Sequence, residues 1–277
     1  MISIIKNTAR ADILKIGKIA CCGNRGISIY LHDGGADMRI GIFGAVQQEV
    51  ALIQEQLQGS SIQKANLIFY EGKLHNHEIV LVCGGVGKVN AALCTQILIS
   101  EFKVDALINT GAGGGTADNI EVFDMVISTD TVQHDVDATA FGCPRGLVPN
   151  MDSAFWRADE NLRNLAMKAF ALCKEQYADE MKNCEQAVEG RIASGDIFVA
   201  DAKLREKIIK EFEPLCVEME GAAIAQTAAV NNVPFIILRC ISDNAGKHAS
   251  AKIAYDEFSK EAAKISALIV LEMLKLL

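Results

Sequence analysis

The chain has 277 residues, 50% of them hydrophobic, and a formal net charge of -8. That is enough apolar sequence to bury a sizeable core and too little length for more than one or two domains. The acidic balance excludes a nucleic-acid or anionic-membrane surface as the main partner. No apolar run reaches the roughly 18 residues of a membrane span, and nine cysteines without metal-ligand spacing read as free thiols of a reducing cytoplasm.

The first 37 residues differ from the rest. Lys15 and Lys18 interrupt the apolar stretch 13–20, which speaks against a secretory core. The segment ends in the turn-rich Asp33-Gly34-Gly35-Ala36-Asp37, directly before Met38 and a strong strand signal. The expectation is an N-terminal extension over 1–37, with Met38 as the true start, and one domain over 38–277.

From Met38 the pattern alternates. A strand is predicted over 39–44 and an amphipathic helix over 47–57. Strands over 67–73 and 78–83 pair around the polar turn His75-Asn76-His77. A helix over 88–101 leads to strands over 106–110 and 124–131. Next come a long helix over 159–178, a strand over 187–194 and a helix over 202–212. The chain closes with a strand over 215–218, a helix over 221–230, a strand over 235–241 and a terminal helix over 252–277. Short buried strands alternating with helices predict an α/β fold: a single-domain three-layer α/β/α arrangement around a central mixed, largely parallel sheet. Ligands of such sheets bind beyond the carboxyl ends of the strands.

Three glycine-containing turns fall at or near predicted strand ends: 41–45, 84–88 and 111–115. None is a dinucleotide fingerprint, and Val89 follows Lys88 where a phosphate loop needs Ser or Thr. Tight turns explain the first two. The third is denser than a turn requires and predicts close approach of backbone to a ligand.

Carboxylates concentrate at two further strand ends. Glu218 and Glu220 stand where a short apolar strand opens into a helix, and a buried strand carrying Arg239 delivers Asp243. Three acids and one arginine beside two apolar strands suit a sugar and a proton. Glu49, taken alone, reads first as a helix N-terminal carboxylate favoured by the dipole.

Seven motifs stand in order along the chain: Arg39-Ile40-Gly41-Ile42-Phe43-Gly44-Ala45-Val46-Gln47-Gln48-Glu49-Val50, Gly85-Val86-Gly87-Lys88-Val89-Asn90-Ala91, Asn109-Thr110-Gly111-Ala112-Gly113-Gly114, His134-Asp135-Val136-Asp137-Ala138-Thr139-Ala140-Phe141, Ser194-Gly195-Asp196-Ile197-Phe198, Val217-Glu218-Met219-Glu220 and Arg239-Cys240-Ile241-Ser242-Asp243. With them the chain, from Met38 to its end, resembles the purine nucleoside phosphorylase/nucleosidase superfamily. Within it, the chain looks most like the methylthioadenosine/S-adenosylhomocysteine nucleosidases. The resemblance implies a nucleoside phosphorylase-like fold and hydrolysis of the N-glycosidic bond of 5′-methylthioadenosine, S-adenosylhomocysteine and 5′-deoxyadenosine. The context it implies is methionine salvage and removal of S-adenosylmethionine by-products.

The resemblance also implies roles. Asp243 gives a proton to purine N7, and Glu49 takes one from the attacking water. Such acid–base steps contribute typically about 10²–10⁴-fold each. An aspartate whose pKa stays near about 3.9 holds too little proton at neutral pH, so Asp243 is expected to be shielded or hydrogen-bonded in its neutral form. Glu220 accepts from the ribose hydroxyls, Met219 lines the sugar, Phe198 stacks on the base, the Val199 backbone reads its edge, and Gly114 lies beside base and sugar. Tyr255 matches an aromatic lid. Phe141 and Pro149 match positions that reach the neighbouring subunit's pocket, implying a homodimer. No cofactor and no metal are implied; the partners are a small-molecule nucleoside and water. The related phosphorylases carry arginines where this chain has 46–49 and Asn109, and a carboxylate at a phosphate site repels the anion, so the residues favour a hydrolase.

Three positions depart from the family pattern: Ala112 lacks a hydroxyl near the sugar, Val46 replaces a common methionine, and Cys143 stands where an aromatic often walls the 5′ side. A futalosine-type hydrolase is the competing enzyme on the same scaffold. A non-catalytic purine-binding protein predicts loss of one of Glu49, Glu220 and Asp243, and all three are present. His134, Asp135 and Asp137 have a superficial metal-site look, but no second histidine or cysteine stands at ligand spacing.

Overall fold

The computed structural model describes residues 37–246 and 251–277. The expected extension, apart from Asp37, and its close cysteine pair Cys21 and Cys22 lie outside the described residues. The described cysteines, from Cys83 to Cys240, are free.

Strand β1 (Arg39–Gly44) shows how the sequence builds the layers. Alternate side chains point to opposite faces of a strand: Ile40 and Ile42 join one core cluster, and Phe43 joins the other. The chain continues through α1 (Gln47–Gln56), β2 (Gln58–Lys64), β3 (Leu67–Leu74), β4 (His77–Cys83), α2 (Lys88–Ser100), β5 (Ala106–Asn109), β6 (Ala112–Gly115) and β7 (Met125–Gln133). A 3-10 turn (Thr139–Phe141) precedes β8 (Phe155–Arg157), α3 (Glu160–Gln176), β9 (Ala187–Ser194), α4 (Ala202–Phe212), β10 (Cys216–Glu218), α5 (Gly221–Val230), β11 (Phe235–Asp243) and α6 (Ala251–Leu276).

The sheet runs β2-β3-β4-β1-β5-β11-β6-β10-β9-β7-β8, and β11 also pairs with β7. Strands β6, β10, β9 and β7 therefore curl back onto β11 and close a ring. The sheet is mixed: β1 with β4 and β5, β11 with β5 and β6, and β9 with β7 and β10 run parallel. Helices α1, α3 and α6 pack around one cluster, and α2 and α5 around the other. This is the three-layer α/β/α architecture that the alternation predicts. Strand β11 is buried along its whole length, as expected of a strand covered on both faces.

Two strands escape the sequence pattern. Strand β2 is polar and almost entirely exposed, so no alternation marks it; it is held by antiparallel pairing to β3. The dense glycine run is strand β6, not a turn. A β-carbon on Gly113 would lie 2.5 Å from Cys216 Sγ, and one on Gly114 would lie 2.8 Å from Ala245 Cβ. Small residues are thus required where β6 passes between β10 and the end of β11. The predicted strand start at Asp124 also shifts to Met125, because the Asp124 carboxylate turns back to accept from Glu121 N and Gln186 Nε2.

Candidate active site

Parallel pairing puts the carboxyl ends of β1, β4, β5 and β11 on one side of the sheet, and the loops that follow converge there. They line a cleft at that end of the sheet.

Glu49 sits in the first turn of α1 and folds back over the loop before it. Its Oε2 accepts from the Ala45 and Val46 amides at 2.6 and 3.2 Å, and its Oε1 from the Ala112 amide at 3.1 Å. The contact with Val46 is the carboxylate half of a capping box, so the structural role and a place in the cleft coincide in one residue. Burial pushes its pKa above the ordinary glutamate value, opposed by the charge of Arg239 and the three amides.

Asp243 ends β11 and is 3% exposed. Burial raises its pKa as well. Its hydrogen bonds differ from the expectation of a stabilised neutral form: Ser242 Oγ donates to Oδ2 at 3.0 Å and the Ala245 amide to Oδ1 at 2.9 Å, and both favour the ionised acid. Burial therefore raises the pKa against the pull of both hydrogen bonds.

Glu218 and Glu220 divide the strand–helix junction. Glu218 accepts from Ser194 Oγ, from Arg239 and from the amides of Glu220 and Gly221, the last two at 3.0 and 2.7 Å. Arg239, itself 2% exposed, also donates to Asn109 Oδ1 at 2.7 Å. Glu220 instead takes the Gly87 amide at 2.8 Å. Burial and then the neighbouring Glu218 charge raise its pKa, against the pull of Arg239.

Glu49, Gly114, Phe198, Val199, Met219, Glu220, Asp243 and Tyr255 all line the cleft. Phe198 and Tyr255 meet edge to face, with ring centroids 5.7 Å apart. Phe141 is 85% exposed, Pro149 is also exposed, and neither lines this chain's cleft. Val86 and Ile197 line it too. The loop of Val86 was expected to be a plain tight turn. Its glycines, Gly85 and Gly87, have φ of +89° and +97° and lift Val86 and the Gly87 amide into the site. The signal was the pair of glycines flanking one apolar residue directly after a strand.

The Asp135 carboxylate pairs with Lys88 at 2.6 Å. Among the described residues no three His, Cys, Asp or Glu side chains are gathered as a metal ion requires.

The strand order and the carboxylate-lined cleft define a nucleoside phosphorylase-like protein. A family model described as the phosphorylase superfamily matches residues 39–275. The 5'-methylthioadenosine/S-adenosylhomocysteine nucleosidase of Treponema pallidum (strain Nichols) is 48% identical over 250 residues, covering 86% of this chain and 93% of that protein. The crystal structure of the corresponding nucleosidase of Neisseria meningitidis, in complex with methylthio-immucillin-A, superposes with a TM-score of 0.79 at 39% identity, covering 87% of this chain and 100% of that one. A futalosine hydrolase of Helicobacter pylori strain 26695 superposes with a TM-score of 0.79 at 33% identity, covering 87% and 98%. This chain belongs to the phosphorylase superfamily and, within it, to the 5'-methylthioadenosine/S-adenosylhomocysteine nucleosidase family.

Proposed function

We propose that this enzyme hydrolyses the N-glycosidic bond of 5′-methylthioadenosine, S-adenosylhomocysteine and 5′-deoxyadenosine, releasing adenine and the 5-substituted ribose. The observation that carries the choice of water over phosphate is the charge of the cleft. Among its described lining residues there are four carboxylates and no lysine or arginine. Arg239, the buried arginine beside it, is committed to Glu218 and Asn109. A phosphate dianion finds no lysine or arginine among the lining residues, and an ionised Glu49 repels it.

The chemistry then follows from placement. Glu49 bonds the amide of Ala112, and Asp243 Oδ1 lies 3.1 Å from the β-carbon position of Gly114. Base and acid are thus anchored two residues apart along β6, and both line the cleft. Asp243, shielded and inclined to keep its proton, gives it to purine N7 as the bond to the ribose breaks. Glu49 draws the proton from water as it adds to the sugar. Glu220 accepts from the ribose hydroxyls beside Met219. Phe198, Val199 and Gly114 hold the base, with Tyr255 closing against Phe198.

A second copy of the chain completes the site. Val86, Ile197 and Phe198 at the cleft and Val89 and Leu93 along α2 are exposed apolar side chains, and Phe141 is more exposed than any of them. Phe141 and Pro149 extend into the neighbouring copy's 5′ pocket in a homodimer. The working domain is residues 38–277, and the enzyme acts in the cytoplasm, where its free thiols persist. Sedimentation of the protein and of Phe141→Glu tests the dimer; the variant is expected to sediment as a monomer.

Futalosine-type hydrolysis is the second reading, favoured by the structural likeness to the Helicobacter pylori futalosine hydrolase. Both readings use the same acids and separate on substrate. Incubation with methylthioadenosine, S-adenosylhomocysteine and aminodeoxyfutalosine, with adenine release followed, decides between them. The first two are expected to have the higher kcat/KM, and a preference for aminodeoxyfutalosine overturns that order.

A further inference from the structure

Helix α2 begins with Gly87 at its N-cap and has no side chain of its own to cap it. Its first amides are satisfied from outside by two carboxylates, Glu220, which lines the cleft, and Asp196, which directly precedes the lining residues Ile197 to Val199. The Gly87 amide donates to Glu220 Oε1 at 2.8 Å, and the Lys88 amide donates to Asp196 Oδ1 at 2.8 Å. Negative groups are favoured at a helix N-terminus, so both contacts are fixed in the same small region.

The Lys88 side chain closes the circuit. Its Nζ donates to Asp135 Oδ1 at 2.6 Å and to Gln133 Oε1 at 2.9 Å, at the end of β7. The other oxygen of Asp135 accepts from the amide of Asp196 at 3.0 Å. Asp196 is thereby held by its side chain and by its backbone, both through Lys88. Burial raises the Asp135 pKa, but the bond and charge of Lys88 and the Asp196 amide outweigh it and hold the acid below its usual range. The Lys88 and Asp135 side chains are only 17% and 18% exposed, so screening by water is weak. Asp196 opens the short segment that presents Ile197, Phe198 and Val199 to the cleft.

We propose that Lys88 and Asp135 are positioning residues that lock the purine-facing segment 196–199 to the ribose carboxylate Glu220, so that base and sugar are gripped in one fixed relative geometry. This rests on the nucleoside-cleaving reading above. Neither side chain lines the cleft; they act through Asp196 and the start of α2.

The consequence is specific. A ligand that engages only the purine segment does not need the lock, because the segment can settle on it freely. A nucleoside spans both parts and does need it. The test measures kcat/KM for methylthioadenosine, the inhibition constant of adenine and the melting temperature, for wild type, Lys88→Met, Lys88→Arg, Asp135→Asn and the Lys88→Met/Asp135→Asn double variant. Lys88→Met is expected to lower kcat/KM by about 10- to 100-fold, the scale of one charge-assisted hydrogen bond. The adenine constant is expected to move by less than about threefold. Lys88→Arg should restore part of the loss, and the double variant should be no worse than the poorer single one. Equal losses for adenine and nucleoside, tracking the melting temperature, or additive losses in the double variant, overturn the proposal while the nucleosidase reading stands. Unchanged kcat/KM in both Lys88→Met and Asp135→Asn does the same. A wild-type protein that releases no adenine overturns both.

Discussion

A β-carbon on Gly111 would lie 2.5 Å from Glu49 Oε1 and 2.9 Å from Glu49 Cδ. The backbone of Gly111 lies outside the left-handed region, so alanine fits the chain conformation and acts on the carboxylate alone. Gly111→Ala is expected to push Glu49 off the Ala112 amide and lower kcat by about 10²-fold, the scale of a misplaced reacting group, with little change in KM. Steady-state kinetics with methylthioadenosine checks this; a wild-type kcat removes Glu49 from its assigned place.

In the proposed mechanism the two carboxylates work in opposite states, Glu49 ionised and Asp243 protonated. Burial raises the pKa of both, so the bell of kcat/KM against pH lies above the ordinary carboxylate range of about 4. Glu49→Gln leaves a residual rate that only falls as pH rises, following loss of the Asp243 proton. Asp243→Asn leaves one that only rises, following ionisation of Glu49. Each substitution is expected to lower the rate at the optimum by about 10²–10⁴-fold. A variant profile that keeps both limbs contradicts the assignment of that residue.

How much of this was legible in sequence depends on where the information lies. Glu49, Glu220 and Asp243 stand in contiguous motifs at strand ends, so their neighbourhood could be read along the chain. The fully buried β11 and the two-faced β1 announced themselves by apolar runs. Strand β2 could not, because a polar edge strand has no buried face to imprint a period. Strand β6 was hidden because glycines carry no side chains to alternate; their density predicts close approach to a ligand, and in the fold the atoms a β-carbon would meet include the Glu49 carboxylate and Cys216. Nor does local sequence reveal that the Gly87 amide bonds Glu220, 133 positions away. That contact exists only once α2 and α5 share a face of the sheet.

Glu220 carries a fold cost as well as a task. Its pKa is raised, first by burial and then by Glu218, above the reference of 4.5. The folded state therefore holds this proton more tightly than the unfolded chain. Its contribution to stability is full below about pH 4.5, declines as pH rises, and is lost above its own raised value. Glu220→Gln keeps an acceptor for Gly87 and removes the charge. It is expected to be more stable than wild type at pH 8, by about 1 kcal/mol, with the difference vanishing toward pH 4.5, while KM for methylthioadenosine rises. Thermal melts across this range check the sign; a variant less stable at pH 8 contradicts it.

Arg239 and Glu218 form an ion pair in which each side chain is 2% exposed. Removing one partner leaves the other charge buried. Arg239→Met is expected to destabilise the fold by about 3–5 kcal/mol, read from urea denaturation. Adding Glu218→Gln should recover part of that loss, because the two are coupled and not additive. A single variant within error of wild type shows that the pair does not brace the junction.

The most direct measurement of the central claim, hydrolysis by water, is adenine release from methylthioadenosine with and without added phosphate, with the sugar product identified. The expected result is the same rate in both buffers, with free 5-methylthioribose as the product. Adenine release that depends on phosphate and yields 5-methylthioribose 1-phosphate would contradict it.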